Sequence, residues 1–410
     1  MNVIEDLIER CTSSGVAFKM LGDIAEVRSG WAFPHNHQGI TDGKYPFYKV
    51  SDMNTSGNEL VMLEANNTIN QEAVKELGVK LAPVGTVIFP KVGAAVATNK
   101  KRLLSIASAY DNNIMGLIPH EEVEPRYLYY WMQTINLSTI AHDSGAVPSI
   151  RKSEMEKVRI PLPPLEAQRA VVDILDSFTN LEAALRTELK ARKKQLEYYR
   201  DELFSFSSDK SVEWVPLGQV GEFIRGRRFT KDDYVEDGIG AIHYGDIYTR
   251  YGTATDNVVS HVRSELRPRL RFAKHGDVIL TDVGETVEDV GKAVAWLGSE
   301  DVAIHDHCYA FRHTMNPKFI SYYMQSSKFR SDKAKYVART KVKTLLIKGL
   351  SKVCIPVPSL TEQDRIVSIL SNFDLLINSA SEGLPAEINM RHKQYEYYRE
   401  KLLVFREATT

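Results

Sequence analysis

The strongest periodicity in the chain lies between residues 171 and 206. Apolar or seam positions recur there at a 3-and-4 spacing: Ile174, Phe178, Leu181, Leu185, Leu189, Arg192, Leu196, Tyr199, Leu203 and Phe206, with Lys, Glu and Arg between them. This spacing predicts a long helix carrying a coiled-coil seam, imperfect at Arg192. The PLPP stretch before it cannot lie inside a helix but suits a helix start. Roughly forty residues from Leu165 would make a rod of about 60 Å. A similar helical stretch closes the chain. In it Gly383, Leu384 and Pro385 predict a break or kink, with Pro385 placed as the first residue of the next helical segment.

Elsewhere the pattern changes. Short β-branched and aromatic runs such as YPFYKV, TVIFP, AIHY and DVIL are bounded by Gly, Asp, Asn and Pro, as strands of a twisted or barrel-like sheet would be. Helical pieces are fewer: INQEAVKELG, with its Gly stop, and PRYLYYWMQTI. Residues 31–44 and 227–240 read as surface loops.

These elements occur twice. IPLPPLEAQRAVVDILDSF from Ile160 aligns with IPVPSLTEQDRIVSILSNF from Ile355, and QLEYYRDELF from Gln195 answers QYEYYREKLL from Gln394. The second copy carries about four extra residues around SEGLPAEI, the size of a stutter that keeps a seam facing its partner. Fainter parallels precede each box: VAFKMLGDIAEVRSG with VEWVPLGQVGEFIRG, PVGTVIFPKVG with KHGDVILTDVG, and EPRYLYYWMQT with NPKFISYYMQS. The plan is therefore globular unit, helix, globular unit, helix. The first residues, VIEDLIERC, resemble the end of a helical box. If the two rods pair antiparallel, the globular units are related by an approximate two-fold axis.

With 410 residues, 43% apolar and 26% charged, the chain suits a soluble protein of two or more domains. It has no apolar run of membrane length and no signal-peptide pattern at its start, which predicts a cytoplasmic protein. Cys11, Cys308 and Cys354 are too few and too scattered for a disulfide framework or a cysteine zinc cage. The net charge of −1 gives nucleic acid no support. Residues 216–354, however, carry 22 Lys/Arg against 17 Asp/Glu, whereas residues 18–160 carry 15 of each. A DNA partner would therefore be met through local patches or with help from partner subunits.

The order of a variable unit, PLPPLEAQ, a helix ending in QLEYYRDELF, a second unit, PVPSLTEQ, GLPAEI and QYEYYREKLL resembles the specificity subunit (HsdS) of type I restriction-modification systems over essentially the whole chain. DSGAVPSIRKSEMEKVRIPLPP resembles the usual exit from a recognition domain of that family; VARTKVKTLLIKGLSKVCIPVP in the second unit departs from it. The resemblance implies an α+β fold: two mixed α/β target recognition domains separated by two long helices that pair as an antiparallel intramolecular coiled coil with pseudo-two-fold symmetry. Its segments would be an N-terminal helical piece at 1–15, recognition domain 1 at 16–158, a central helical spacer at 159–207, recognition domain 2 at 208–353 and a C-terminal helical spacer at 354–410. It also implies a non-catalytic subunit in which each domain reads one half of an asymmetric bipartite target in double-stranded DNA. The helices would set the spacer and dock two methyltransferase (HsdM) subunits, with two restriction (HsdR) subunits completing the assembly. S-adenosylmethionine, ATP and Mg²⁺ would sit on those partners, with no cofactor or metal on this chain and no membrane association. The family's docking role falls here on Gln168, Leu196, Tyr198, Tyr199, Arg200, Gln363, Tyr395, Tyr397, Tyr398 and Arg399. The alternative class is a coiled-coil adaptor with two protein-binding heads.

The residues agree with a chain lacking its own chemistry. GETVEDVGKA at Gly284 to Ala293 has the wrong spacing for a phosphate-binding loop and Ala293 where a hydroxyl is needed. His35-Asn36-His37 reads as a polar loop. His305 and His307 in IHDHCYAF would share one face of a strand, and two ligands do not complete a metal site. Candidate DNA contacts in the second unit are Arg225, Arg227 and Arg228; Arg267, Arg269 and Arg271, aimed to one side if RPRLRF is a strand; and Arg339, Lys341 and Lys343, which alternate around a loop. In the first unit they are Lys91, Lys100, Lys101 and Arg102, with Asn112 and Asn113 as adenine readers. Lys49, Ser51 and Asp52 pair by position with His243, Tyr244 and Asp246, at a strand end that the resemblance places near DNA. The two aspartates would equally serve as turn caps.

Overall fold

The structure, a computed structural model, describes residues 15–142, 147–206, 211–379 and 381–408. The expected N-terminal helical piece VIEDLIERC, and Asp143 to Ala146 of the DSGAVPS exit turn, lie outside the described residues. Five helices matter below: α1 (Pro125–Thr134), α2 (Leu165–Leu203), α3 (Pro317–Tyr323), α4 (Leu360–Asn378) and α5 (Leu384–Leu403). The chain forms two compact units, residues 1–183 with 390–410, and residues 184–389. Each unit thus combines one head with pieces of the long helices. No described helix is long and apolar enough to cross a membrane.

In the first unit a five-stranded sheet runs in the order Ala25–Ser29, Ile114–Pro119, Val87–Pro90, Arg102–Leu104, Val61–Met62. Beside it lies a three-stranded sheet ordered Thr68–Ile69, Tyr45–Tyr48, Ala109–Tyr110. The second unit repeats the scheme with Gly221–Arg225, Cys308–His313, Val278–Thr281, Ala293–Trp296 and Ala254–Thr255 as its counterpart five-stranded sheet. Strand positions on one side of the first sheet, Val27, Val87, Phe89, Met115 and Leu117, enter one core with Tyr127, Leu128 and Trp131 of α1 and Val171 and Leu175 of α2. Burying each such side chain contributes about 1.5–3 kcal/mol. The short helix Gln71–Glu76 falls within INQEAVKELG: Asn70 Oδ1 accepts from Ala73 N at 2.8 Å, and Gly78 follows with φ +62°.

Within the first unit, α2 and α5 pack antiparallel. Phe178 stacks on Tyr398 at 5.3 Å, while Glu182, further along α2, meets His392, earlier on α5, at 3.2 Å. The chain end completes this unit: Val16 N donates to Arg406 O at 2.9 Å and Ala408 N to Val16 O at 3.0 Å. In the second unit the later part of α2 packs with α4, Leu196 and Phe204 sharing a core with Ile366 and Leu370. The expected break falls between Asn378 and Leu384. Gly383 is required there, since a Cβ would stand 2.5 Å from Leu375 O. Pro385 is the second helical residue, one later than expected.

A matched pair of latches ties each helix to its head. Gln168 is fully buried; its Oε1 accepts from Glu124 N at 2.9 Å, and its Nε2 donates to Glu122 O at 3.0 Å and Pro163 O at 2.8 Å. Gln363 does the same in the second unit, accepting from Asn316 N at 2.8 Å and donating to Pro358 O at 2.8 Å. A second tie joins Tyr130 of α1 to Asp176 of α2, and Tyr322 of α3 to Asp374 of α4.

Candidate nucleic-acid interface

In each head two short parallel strands end side by side and leave together into loops. In the first head Phe47 pairs with Ala109 and Tyr48 with Tyr110. The chain then enters the turn Val50–Asn54 and the turn at residues 111–113, which are joined by Asp111 N donating to Tyr48 O at 2.9 Å. Lys91, just beyond the strand Val87–Pro90, is held against them by its N–H to Asn113 O at 2.8 Å, and its Nζ donates to Ser29 Oγ at 2.9 Å. In the second head Ala241 pairs with Ala303 and Ile242 with Ile304. His305 N donates to Ile242 O at 3.1 Å, Asp282 N donates to His307 O at 3.1 Å, and the Arg225 guanidinium lies 3.8 Å from the Asp282 carboxylate.

The same backbone bonds thus equate Ser29 with Arg225, Lys49 with His243, Lys91 with Asp282, Asp111 with His305, Asn112 with Asp306 and Asn113 with His307. One glycine marks the cluster in each head. A Cβ on Gly30 would sit 2.1 Å from Asp111 O and one on Gly226 2.0 Å from His305 O, so only glycine lets the strand pass.

The chemistry of the two clusters differs. The first is amide and lysine: Asn112 and Asn113 are exposed, and Lys49 donates to Gln38 Oε1 at 3.0 Å. Burial pushes the Asp111 carboxyl above and the Lys91 amine below their ordinary values. The second is aromatic and imidazole: His243 and His305 rings lie 4.4 Å apart, with Tyr244 5.5 Å from both His305 and His307. Burial, reinforced by neighbouring His243, lowers His305 to about 4, and burial also lowers His243. Neutral imidazoles offer one donor and one acceptor each, a pattern suited to base edges. No three His, Cys, Asp or Glu side chains among the described residues are placed to hold a metal ion.

Several expected contacts are corrected. Asp52 is fully buried, its carboxylate accepting from Lys49 N at 2.6 Å and Asn66 Nδ2 at 2.6 Å, so it is a turn cap. Asp246 is engaged in the same way with His243 N at 3.3 Å. Lys101 is fully buried, donating to Asn99 Oδ1 at 2.7 Å and Ile135 O at 2.6 Å, and burial lowers its amine to about 8. Arg102 turns its guanidinium to Lys101 O at 2.8 Å and Met53 O at 3.2 Å, and Lys100 donates to Asn54 Oδ1. RPRLRF does not begin as a strand: Ser264–Arg269 is a 3₁₀ helix around Pro268, with Arg267 5.3 Å over Phe272. Arg267, Arg269 and Arg271 are nevertheless exposed, as are Ser51, Arg225, Arg227 and Arg228. His305 and His307 lie in the turn after the strand Val302–Ile304, not on it. His35–His37 is one 3₁₀ turn, with His37 3.4 Å from Glu76.

The docking residues divide as well. Gln168, Gln363, Leu196 and Arg200 are buried within their own units and are not available to a partner. Tyr395, Tyr398 and Arg399 are partly covered, by Tyr130 at 6.4 Å, Phe178 at 5.3 Å and Tyr395 at 5.4 Å. Tyr199 lies 5.7 Å from Phe373. Tyr198 and Tyr397, equivalent in the two boxes, are the outward pair at 62% and 56% exposure.

Two heads with one loop scaffold and different side chains, each latched to paired helices, define a duplicated recognition protein. The model of the type I restriction modification DNA specificity domain matches twice, over residues 13–192 and 210–390, and the chain belongs to that family as a type I specificity subunit. The Escherichia coli EcoR124I/EcoR124II specificity subunit is 35% identical over 302 residues, covering 70% of this chain and 72% of that one. A putative specificity subunit of Haemophilus influenzae is 28% identical over 340 residues, covering 78% and 82%. Among solved structures, a chain from a type I restriction-modification complex matches with a TM-score of 0.63 at 18% identity, covering 95% of this chain and 97% of that one. The HsdS subunit of Thermoanaerobacter tengcongensis matches at 0.50 and 17%, covering 96% and 97%. Both share the fold. Membership of a specificity-subunit family is consistent with a non-catalytic chain, and it implies DNA and methyltransferase partners.

Proposed function

We propose that each head reads one half of a split DNA sequence through its loop cluster, and that the halves differ because the clusters differ. The observation carrying this reading is the position-by-position exchange on a common backbone: Asp111-Asn112-Asn113 in one head stands where His305-Asp306-His307 stands in the other. A shared scaffold with exchanged donors and acceptors is what two readers of different base edges require. The helices fix the distance between halves and dock two methyltransferase subunits, with two restriction subunits joining the assembly in the cytoplasm. S-adenosylmethionine belongs to the methyltransferase subunits, and ATP with Mg²⁺ to the motor subunits.

The test uses the full chain assembled with its methyltransferase subunit. Asn113→Ala is expected to relax discrimination in one half of the methylated motif and His307→Ala in the other, each by about 1–3 kcal/mol at one base pair. Unchanged discrimination in both variants would contradict the reading.

A further inference from the structure

The second head carries a dense basic stretch: residues 328–352 hold nine Lys/Arg and one acid, Asp332. The structure sorts these cations. Lys333 is buried, its Nζ donating to Glu288 O at 2.8 Å and to Val290 O, and it staples the neighbouring loop. Lys328 and Lys335 lie 3.1 Å and 3.0 Å from Asp332. Of the other six, Arg330 donates to Ser327 Oγ at 3.1 Å, Lys348 and Lys352 lie further along, and Arg339, Lys341 and Lys343 share one hairpin, where Lys343 Nζ donates to Thr340 O at 2.8 Å; none of these three is in an ion pair among the described residues.

That hairpin is rigidly built. Strand Val337–Arg339 pairs with Lys343–Leu345, and the latter pairs with Val283–Gly284, directly after Asp282 of the loop cluster. The register sets Arg339 opposite Lys343, with Lys341 exposed at the tip. Like charges directly opposed across a strand pair are destabilising unless an anion joins them. Lys341, Val342 and Thr344 share a cleft of about 890 Å³ with Tyr244 and His307, so the hairpin borders the reading loops. Glu285 and Asp289 also line that cleft, and Asp289 accepts from Thr286 Oγ1 at 2.6 Å, so the cleft interior is not the seat for an anion. The hairpin cations are.

The first head lacks these cations at the matching place. Val92 and Ser149, standing where Val283 and Thr344 stand, make one bridge, Ser149 makes another with His142, and residues 135–150 contain no Lys or Arg.

We propose that the Arg339–Lys343 hairpin is a phosphate clamp for the DNA backbone beside the half-site read by the second head, without matching cations in the first. This rests on the reading that the loop clusters face DNA. It makes the two half-sites unequal: the second is held with a larger electrostatic share, the first more by base contacts.

The test measures binding of the full chain, assembled with its methyltransferase subunit, to two fluorescent duplexes between 50 and 200 mM salt. One duplex carries the methylated motif and the other has both halves scrambled. The exposed-tip variant Lys341→Glu is expected to weaken both duplexes alike. Triple replacement, R339Q with K341Q and K343Q, is expected to flatten the slope of log affinity against log salt by about 2 to 3, at roughly 0.9 per phosphate contact. The methylated motif should not change, and the melting midpoint should hold or rise slightly as the opposed like charges are removed. Lys348→Gln, removing a nearby exposed charge, should leave the slope nearly as in the wild type. An unchanged slope in the triple variant, a loss confined to the motif duplex, or equal flattening by Lys348→Gln would overturn the clamp. If the wild-type assembly binds neither duplex, the DNA reading itself fails and the clamp with it.

Discussion

Gln168 and Gln363 are single polar letters in two proline boxes, and each is buried making hydrogen bonds to three or two backbone groups. An alanine in place of either strands an N–H and at least one carbonyl away from water, at about 1–3 kcal/mol for each group left without a partner. Gln168→Ala and Gln363→Ala are therefore each expected to lower the thermal midpoint of the full chain by several degrees. Glutamate should be nearly as damaging, because a carboxylate cannot donate to Pro163 O or Pro358 O. Midpoints equal to that of the wild type would contradict the latch. The repeat made these residues conspicuous in the sequence but not their direction. A glutamine at the start of an amphipathic helix reads as surface, and only the approach of Glu122 to Glu124 shows that it faces inward. Lys101 misleads for the same reason: in a basic run with Lys100 and Arg102, nothing local marks the one whose amine points at Ile135 O.

At the scale of elements, the helices were legible and their faces only partly so. The seam positions Ile174, Phe178, Leu185 and Leu189 are half-buried, as the spacing requires, whereas Leu181 among them is exposed. The most buried residues of the first part of α2 are instead Gln168, Val171, Val172 and Leu175. One helix packs on a second helix and on a head together, so its buried stripe is wider than a seam. That leaves Tyr198 and Tyr397, each edge-on to its neighbouring tyrosine at 5.5 Å and 5.3 Å, as exposed aromatics at equivalent places. Aromatic side chains exposed twice in the same frame fit an anchor for a partner subunit better than a fold requirement. Replacing both with alanine is expected to change stability by no more than about 0.5 kcal/mol. The same change should sharply reduce co-purification of the methyltransferase subunit. Full recovery of that subunit would place the docking face elsewhere. The loop clusters show the opposite balance. Their scaffold is common, yet Asp-Asn-Asn and His-Asp-His share no letter in the same place, so sequence alignment alone does not join them. Gly30 and Gly226 do, once the backbone crossing they permit is seen.

For the whole molecule, the two-copy plan is what the chain states most plainly, because the two helical boxes keep the same letters. The heads share a retained frame: strand pairing, the capping aspartates Asp52 and Asp246, and the latch glutamines persist, while the loop side chains and the hairpin cations of the second head do not. Under the proposed function, this division assigns sequence specificity to the heads one at a time. Genome-wide mapping of methylated bases tests it most directly, in cells expressing the chain with its methyltransferase subunit, before and after residues 16–158 are exchanged for the same segment of a relative. The account predicts a bipartite motif in which one half changes while the other half and the spacer stay. A motif indifferent to the exchange, a change in both halves, or no motif at all would contradict it.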